Sequence, residues 1–255
     1  LTAPSGGWYP YDSLQVFSRC GELVDAGGLS AAQLFSGPVL DIGCADGDIA
    51  FFLESKGCSV DAVDHAPTNY NQMHGVRALH EHLRSTVRLF DINVDSQFIL
   101  PRREYHLVLF LGILYHLKNP WYALEKLARA SRYVLLSTTV GRLSRWTSRI
   151  RQEAPLVYLA DDDEFNNDST NYWVFSETAL QRLLRRTGWE VRAISRCESR
   201  ERGARKASIL VDRVFCLIES EVTRRFTQDV ECPRGWHNIE EPGWRWTEQR
   251  FSVAV

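Results

Sequence analysis

The chain has 255 residues, 44% of them hydrophobic and 24% charged, with a formal net charge of -2. That length and apolar fraction suit one α/β domain with additions and an ample core, and the near-neutral balance excludes a global electrostatic drive toward nucleic acid. No apolar run reaches the ~18 residues of a membrane span, no signal peptide is recognisable, and the six cysteines (Cys20, Cys44, Cys58, Cys197, Cys216, Cys232) form no C-x-x-C pair, so a cytoplasmic protein is expected.

Residues 1–36 carry Trp8, Tyr9, Tyr11 and Phe17, and the spacing of Leu14, Phe17 and Leu23 predicts a short amphipathic helix. This stretch is read as an N-terminal helical segment or lid. Residues 37–220 are read as the main domain. From 38 to about 140 strand-like and helix-like runs alternate, which predicts a mostly parallel sheet with helices on both faces. The first strand, Val39-Leu40-Asp41-Ile42, leads into the turn Gly43-Cys44-Ala45-Asp46-Gly47-Asp48 and a helix from Ile49. Small residues at 43, 45 and 47 leave that turn open to close approach by a ligand. The second strand, Cys58–Asp64, ends about 20 residues after the turn, where an aspartate accepts both hydroxyls of a ribose. The same aspartate also suits a cap for a helix opened by Pro67.

Pro67 to Ser85 reads as that helix, with Val76, Leu79 and Leu83 on one face. A third strand, Val87–Ile92, carries Asp91 and Ile92 at its end. Tyr105–Leu111 is a further buried strand and runs into Gly112-Ile113-Leu114-Tyr115-His116-Leu117. Asn119-Pro120 opens a helix to Ala130, and Tyr133–Thr138 is the next strand. Residues 141–172 break the rhythm: Arg142, Arg145, Arg149 and Arg151 give way to Asp161, Asp162, Asp163 and Glu164. They are read as an insertion or lid over the strand ends. Ser176 caps a helix that stops at Gly188, and Trp189–Ile194 with Arg213–Glu219 predict a closing antiparallel hairpin whose loop holds Arg200, Arg202, Arg205 and Lys206. Residues 221–255, with Trp236, Trp244, Trp246 and Phe251, read as an aromatic β extension. A start at Leu1 and an end within the alternating Arg250–Val255 run suggest a piece of a longer protein.

Ligands of such sheets bind at the C-terminal strand ends. A dinucleotide fingerprint would read G-x-G-x-x-G; here the pattern is D-x-G-x-A-x-G, with further acids at 46 and 48. Those acids are poor neighbours for pyrophosphate and suit a ligand bearing an ammonium and a sulfonium. The motif resembles the first motif of the class I S-adenosylmethionine (SAM) methyltransferases. The resemblance implies a Rossmann-like fold and SAM as cofactor, with S-adenosylhomocysteine (SAH) as its product. It also assigns roles: Asp41, Gly43, Ala45 and Gly47 shape the methionyl pocket with Leu111 and Gly112, Asp64 holds ribose, Asp91 meets the adenine amino group and Ile92 packs on its ring. Asp91 is equally suited to a plain strand-end turn. Tyr115 and His116 would then face the acceptor, His116 as the base for its proton or as a structural donor to a loop carbonyl. Tyr172 and Trp173 would form a wall for substrate.

Phe110–Pro120 also resembles the G-[VI]-L-Y-H-x-x-x-P segment of the tRNA wobble-uridine carboxymethyltransferases and their methyltransferase relatives, and Asn171-Tyr172-Trp173 before a Leu-rich helix is similar too. That likeness covers about residues 38–195. The long N-terminal region of the tRNA enzymes has no counterpart and no carboxy-SAM anchor can be assigned, so plain methyl transfer to an O or N atom of a small-molecule or glycan acceptor is expected. Gly235-Trp236 to Trp244-Arg245-Trp246-Thr247 resembles a motif of bacterial glycan-biosynthesis proteins and favours the sugar. There is no Asn/Asp-Pro-Pro-aromatic segment for exocyclic amines, and the only Cys-Pro, Cys232-Pro233, lies far from the sheet ends, against a covalent cysteine adduct. No metal site is expected: His80 and His82 do not share a helix face, and Asp161–Asp163 reads as a solvated loop. Two alternatives stand. In one the chain modifies tRNA, with the bases of 142–151 and 200–206 on phosphate and Trp146 stacking on a base. In the other it binds SAM without turnover. The acceptor and the oligomeric state are not set by the sequence.

Overall fold

The computed structural model describes residues 2–144, 153–165, 168–197 and 209–226. Three short helices, α1 (Ser13–Ser18), α2 (Cys20–Ala26) and α3 (Ala31–Leu34), precede β1 (Val39–Ile42). There follow α4 (Asp48–Ser55), β2 (Val60–Asp64), α5 (His74–Leu83), β3 (Arg88–Asp91), β4 (Tyr105–Leu111), a single 3₁₀ turn at Leu114–His116, α6 (Pro120–Ala128) and β5 (Ser131–Ser144). The chain continues through β6 (Val157–Leu159), β7 (Trp173–Phe175), α7 (Glu177–Arg186), β8 (Trp189–Cys197), β9 (Ile209–Ser220) and α8 (Glu221–Phe226).

The strands form one sheet whose parallel part runs β3-β2-β1-β4-β5. β9 lies antiparallel against β5, and β8 antiparallel against β9, as the closing hairpin. Strand periodicity then sorts the core. Leu107 and Leu109 of β4, Tyr133 and Leu135 of β5, and Phe215 and Leu217 of β9 join Leu23, Leu34, Ile49 and Val76 from the helices before β3. Val108 and Phe110, Val134 and Leu136, and Cys216 and Ile218 face the other way, onto Leu124, Leu127, Leu180 and Leu184 of α6 and α7. Helices therefore cover both faces of a Rossmann-like sheet.

Several boundaries differ from the sequence reading for identifiable reasons. The helix expected from Pro67 begins at His74, because Gln72 and Met73 adopt φ of 57° and 63° and the Asn69 side chain accepts from the backbone of Asn71 and Met73. Left-handed residues cannot continue a right-handed helix. Leu83, expected on its apolar face, is 52% exposed. The single N-terminal helix is three, interrupted near Arg19 and at the Gly27-Gly28 turn; α3 has a Ser30/Gln33 capping box. Residues 221–226, expected to begin a β extension, are helical. The rest of that extension, including Trp236, Trp244, Trp246 and Phe251, lies outside the described residues, as do the bases at 145–151 and 200–206 and Trp146.

β5 outruns its predicted end by six residues, and this extension builds the roof of the ligand end. β4 stops opposite Ser137. Beyond it β7 takes up the vacated edge of β5 through Val140↔Phe175, while β9 holds the opposite edge at Val140↔Asp212. β6 then pairs antiparallel with β7. The insertion is thus anchored to the sheet directly above the end of β4.

Candidate active site at the strand ends

Asp41 ends the apolar run of β1 and is 4% exposed, and its Oδ2 has no hydrogen-bond partner among the described residues. Burial, with Asp64 and Asp48 nearby, pushes its carboxyl up to about 7. Such a buried oxygen is costly unless a donor meets it. Ser137 Oγ, level with the last residue of β4 and on the same side of the sheet as Asp41, is another buried polar atom without a partner among the described residues.

The turn after β1 uses left-handed backbone three times, at Gly43 (φ 74°), Ala45 (φ 52°) and Gly47 (φ 87°). The sequence reading attributed its small residues to ligand clearance. A Cβ at Gly47 would lie 2.6 Å from Phe51 and 2.8 Å from Val76, so α4 and α5 demand that glycine. At Gly43 the obstruction is the flexible tip of Ile113, at 2.0 Å. Gly43 therefore faces the segment after β4.

Asp64 binds the same turn: Ala45 N–H donates to its Oδ2 (2.9 Å) and His65 N–H to its Oδ1 (2.8 Å). Burial raises its carboxyl, and these amides oppose the rise. The Asn69 side chain also hydrogen-bonds to this carboxylate and opposes the rise as the amides do. Asp91 stands beside it in register on β3, exposed, its Oδ1 accepting from Ala66 N–H at 3.0 Å. Ile92 donates its N–H to Asp64 O and packs half-buried on the core. Asp41, one residue before the end of β1, and Asp64 and Asp91, the last residues of β2 and β3, thus lie at the ends of three adjacent strands. Asp46 does not belong with them: its carboxylate is consumed by Tyr9 N–H (2.6 Å) and Asn71 Nδ2 (2.8 Å). Asn71 Nδ2 also donates to Gly7 O, so residues 7–9 are strapped across the turn. The Tyr9 phenol is pushed up to about 12 by burial and lies within electrostatic reach of Tyr115, Arg213 and Asp64.

At the end of β4, Gly112 (φ 80°) donates to Ser137 O, and the chain enters the 3₁₀ turn. A Cβ at Gly112 would lie 3.4 Å from Arg213 Nη1 and 3.5 Å from Tyr115 Oη, so both side chains reach over it. Arg213 Nη2 donates to Tyr115 Oη at 3.5 Å. Tyr115 and His116 rings lie 4.2 Å apart. The insertion clamps this turn: Tyr172 N–H donates to Tyr115 O (2.9 Å) and Trp173 Nε1 to Leu117 O (2.8 Å). The structure therefore brings the predicted acceptor residues Tyr115, His116, Tyr172 and Trp173 together. His116 Nδ1 contacts Thr170 Oγ1 at 2.9 Å and Thr170 O at 3.2 Å. Burial lowers its imidazole pKa, with Asp168 and the Thr170 carbonyl opposing. The acidic run nearby organises its own loop, with Glu164 accepting from Tyr158 Oη (2.6 Å) and Asp161 N–H (2.9 Å).

Sequence reasoning missed Tyr9, Asn71, Asp168, Thr170 and Arg213 as site residues. Of these only the aromatic-rich N-terminus left a local signal. A surface hollow of about 350 Å³ lined by Gln33, His106 and Tyr133 lies at the N-terminal strand ends, remote from the acids. Among the described residues no three His, Cys, Asp or Glu side chains group as a metal site, and no helix is long and apolar enough to cross a membrane.

The model of the methyltransferase-domain family matches residues 14–194. The chain belongs to that family. No curated protein matches this methyltransferase-family chain. Solved structures share its fold at low identity. The N-terminal domain of EvdMO1 with SAH bound is 17% identical, covering 80% of this chain and 81% of that one, with a TM-score of 0.55. The same domain, determined in the presence of SAH and D-fucose, gives 17%, 82%, 84% and 0.56. The [4+2]-cyclase SpnF is 13% identical over 86% of this chain and 89% of its own, at 0.57. A S-adenosylmethionine-dependent methyltransferase from Clostridium acetobutylicum ATCC 824 is 12% identical, with coverages of 83% and 93%, at 0.53.

Proposed function

We propose that this chain is a SAM-dependent methyltransferase acting on an O or N atom of a small-molecule or glycan-type acceptor. The observation that carries the reading is the arc of strand-end acids around the left-handed turn, with buried Asp41 Oδ2 lacking a donor among the described residues. Asp41 would meet the cofactor's ammonium, Asp64 its ribose, and Asp91 with Ile92 its adenine, while Gly43, Ala45, Gly47, Leu111 and Gly112 line the methionyl side. Bound SAM supplies an electrophilic methyl group: its bond to sulfur breaks with the electron pair left on sulfur, and the acceptor gains methyl and releases a proton. His116 is the side chain that receives that proton, since burial lowers its imidazole pKa and so favours the neutral form able to accept one. Trp173 spends its N–H on Leu117 O and therefore offers an acceptor only its ring.

The sugar is supported by the N-terminal domain of EvdMO1, determined in the presence of D-fucose. A test is methyl transfer from labelled SAM to a panel of sugar-bearing hydroxyl compounds. Transfer that His116→Ala reduces at least ~100-fold, within the usual weight of a general base, with SAH affinity retained, supports the reading; transfer unaffected by the substitution removes His116 from it. The likeness to a cyclase favours one second reading, cofactor binding without methyl transfer, since a fold does not fix a reaction. It predicts SAH binding and no labelled product with any acceptor.

A further inference from the structure

We infer that Thr170 and Asp168 are positioning residues that fix His116 with its hydrogen on Nδ1, leaving Nε2 as the nitrogen that accepts a proton. The inference rests on the methyltransferase reading and assigns a role to a part of the insertion that the sequence left unexplained. His116 Nδ1 lies 3.2 Å from Thr170 O and 2.9 Å from Thr170 Oγ1. A carbonyl oxygen only accepts. The hydroxyl lies 2.6 Å from Asp168 Oδ1, and a carboxylate also only accepts, so the Thr170 hydrogen is committed to Asp168. Thr170 N–H donates to the same Asp168 oxygen at 2.9 Å. Both atoms facing Nδ1 therefore receive a hydrogen bond, and Nδ1 must carry the hydrogen. The lone pair is left on Nε2.

The charged and titratable groups around the ring come from three elements: Tyr115 on its own turn, Asp168 on the insertion with its Oδ2 4.0 Å from Nδ1, and Arg213 on β9. Asp168 offsets the positive charge that His116 gains when Nε2 takes the acceptor's proton, and Arg213 opposes it. Neither Thr170 nor Asp168 takes a proton itself. The arrangement is of use only to an acceptor that arrives protonated, a hydroxyl or an N–H, and not to a thiolate or carboxylate already ionised at neutral pH.

The test is ¹⁵N NMR of the histidine rings in the full chain, with and without SAH, for wild type, Thr170→Val, Thr170→Ser and Asp168→Ala. The wild type should show His116 as the Nδ1–H tautomer. Thr170→Val should lose much of that tautomer, Thr170→Ser should keep it, and Asp168→Ala should lower the His116 pKa by about 0.5–1, as loss of a partly exposed counter-charge does. A wild-type Nε2–H tautomer, or Thr170→Val and Asp168→Ala spectra both identical to wild type, overturns the inference. SAH calorimetry on the same proteins separates the two claims. Intact SAH binding with the wrong tautomer sinks only the positioning pair, whereas no SAH binding in the wild type sinks the reading on which it rests.

Discussion

Asp41 is the residue on which cofactor binding and stability pull in opposite directions. Its carboxyl is raised from 3.8 to about 7 by burial and by neighbouring acids. The folded chain thus holds this proton more tightly than the unfolded chain, so the group's contribution is fully present below pH 4 and is lost as pH rises through 7. Asp41→Asn should flatten that decline, leaving a melting temperature at pH 8 equal to or above wild type, while SAH affinity falls at least ~10-fold for want of a charged hydrogen-bond partner. Melting curves from pH 5 to 8 beside calorimetry check both halves. Asp41, Asp64, Asp91 and the Tyr115-His116 pair were legible because each ends or follows a strand whose apolar run is plain. Tyr9, Arg213 and Asp168 were not, since each reaches the site from a distant part of the chain and only tertiary closure makes them neighbours.

The turn after β1 and the pairing of β2 with β3 can be tested as units. Gly47 and Gly57 share a positive φ, 87° and 85°, but a Cβ at 47 would collide with Phe51 and Val76 while one at 57 meets nothing within 4 Å. Gly57→Ala should therefore cost only the conformational strain, about 1 kcal/mol, and Gly47→Ala at least about 2 kcal/mol. Denaturant midpoints measure the difference. At the other end of β2, buried Asp61 accepts from Arg88 Nε (2.7 Å), Arg102 Nε (2.9 Å) and Tyr105 Oη (2.6 Å), which hold its carboxyl below the usual range against the cost of burial. Asp61→Ala should destabilise the chain by about 2–4 kcal/mol, since it leaves a buried hydroxyl and two guanidiniums without their acceptor, yet leave SAH affinity unchanged because Asp61 sits at the opposite strand end. Elements of strong period, such as β4 and α7, were plain in the sequence. The start of α5 was not: local side-chain bonds from Asn69 and two left-handed residues overrode a helical pattern that composition alone favoured.

Across the whole molecule, the sheet order follows from alternating strands and helices. The β6–β7 ribbon does not, because it depends on β5 outrunning β4 and exposing an edge for β7. The N-terminal strap is likewise a long-range feature, pinned by Tyr9 and Gly7 to Asp46 and Asn71. Removing residues 1–9 should weaken SAH binding ~10-fold or more while retaining the folded sheet by circular dichroism, since the strap touches the turn and not the core; unchanged affinity would deny it a place at the site. The most direct test of the account is calorimetric titration of SAM and SAH into the wild type and Asp64→Ala. The account predicts that both ligands bind, and that the substitution weakens them by about 1–3 kcal/mol, the cost of leaving a hydrogen-bonding group unpaired. Failure of either ligand to bind the wild type, or affinities indifferent to Asp64, would contradict it.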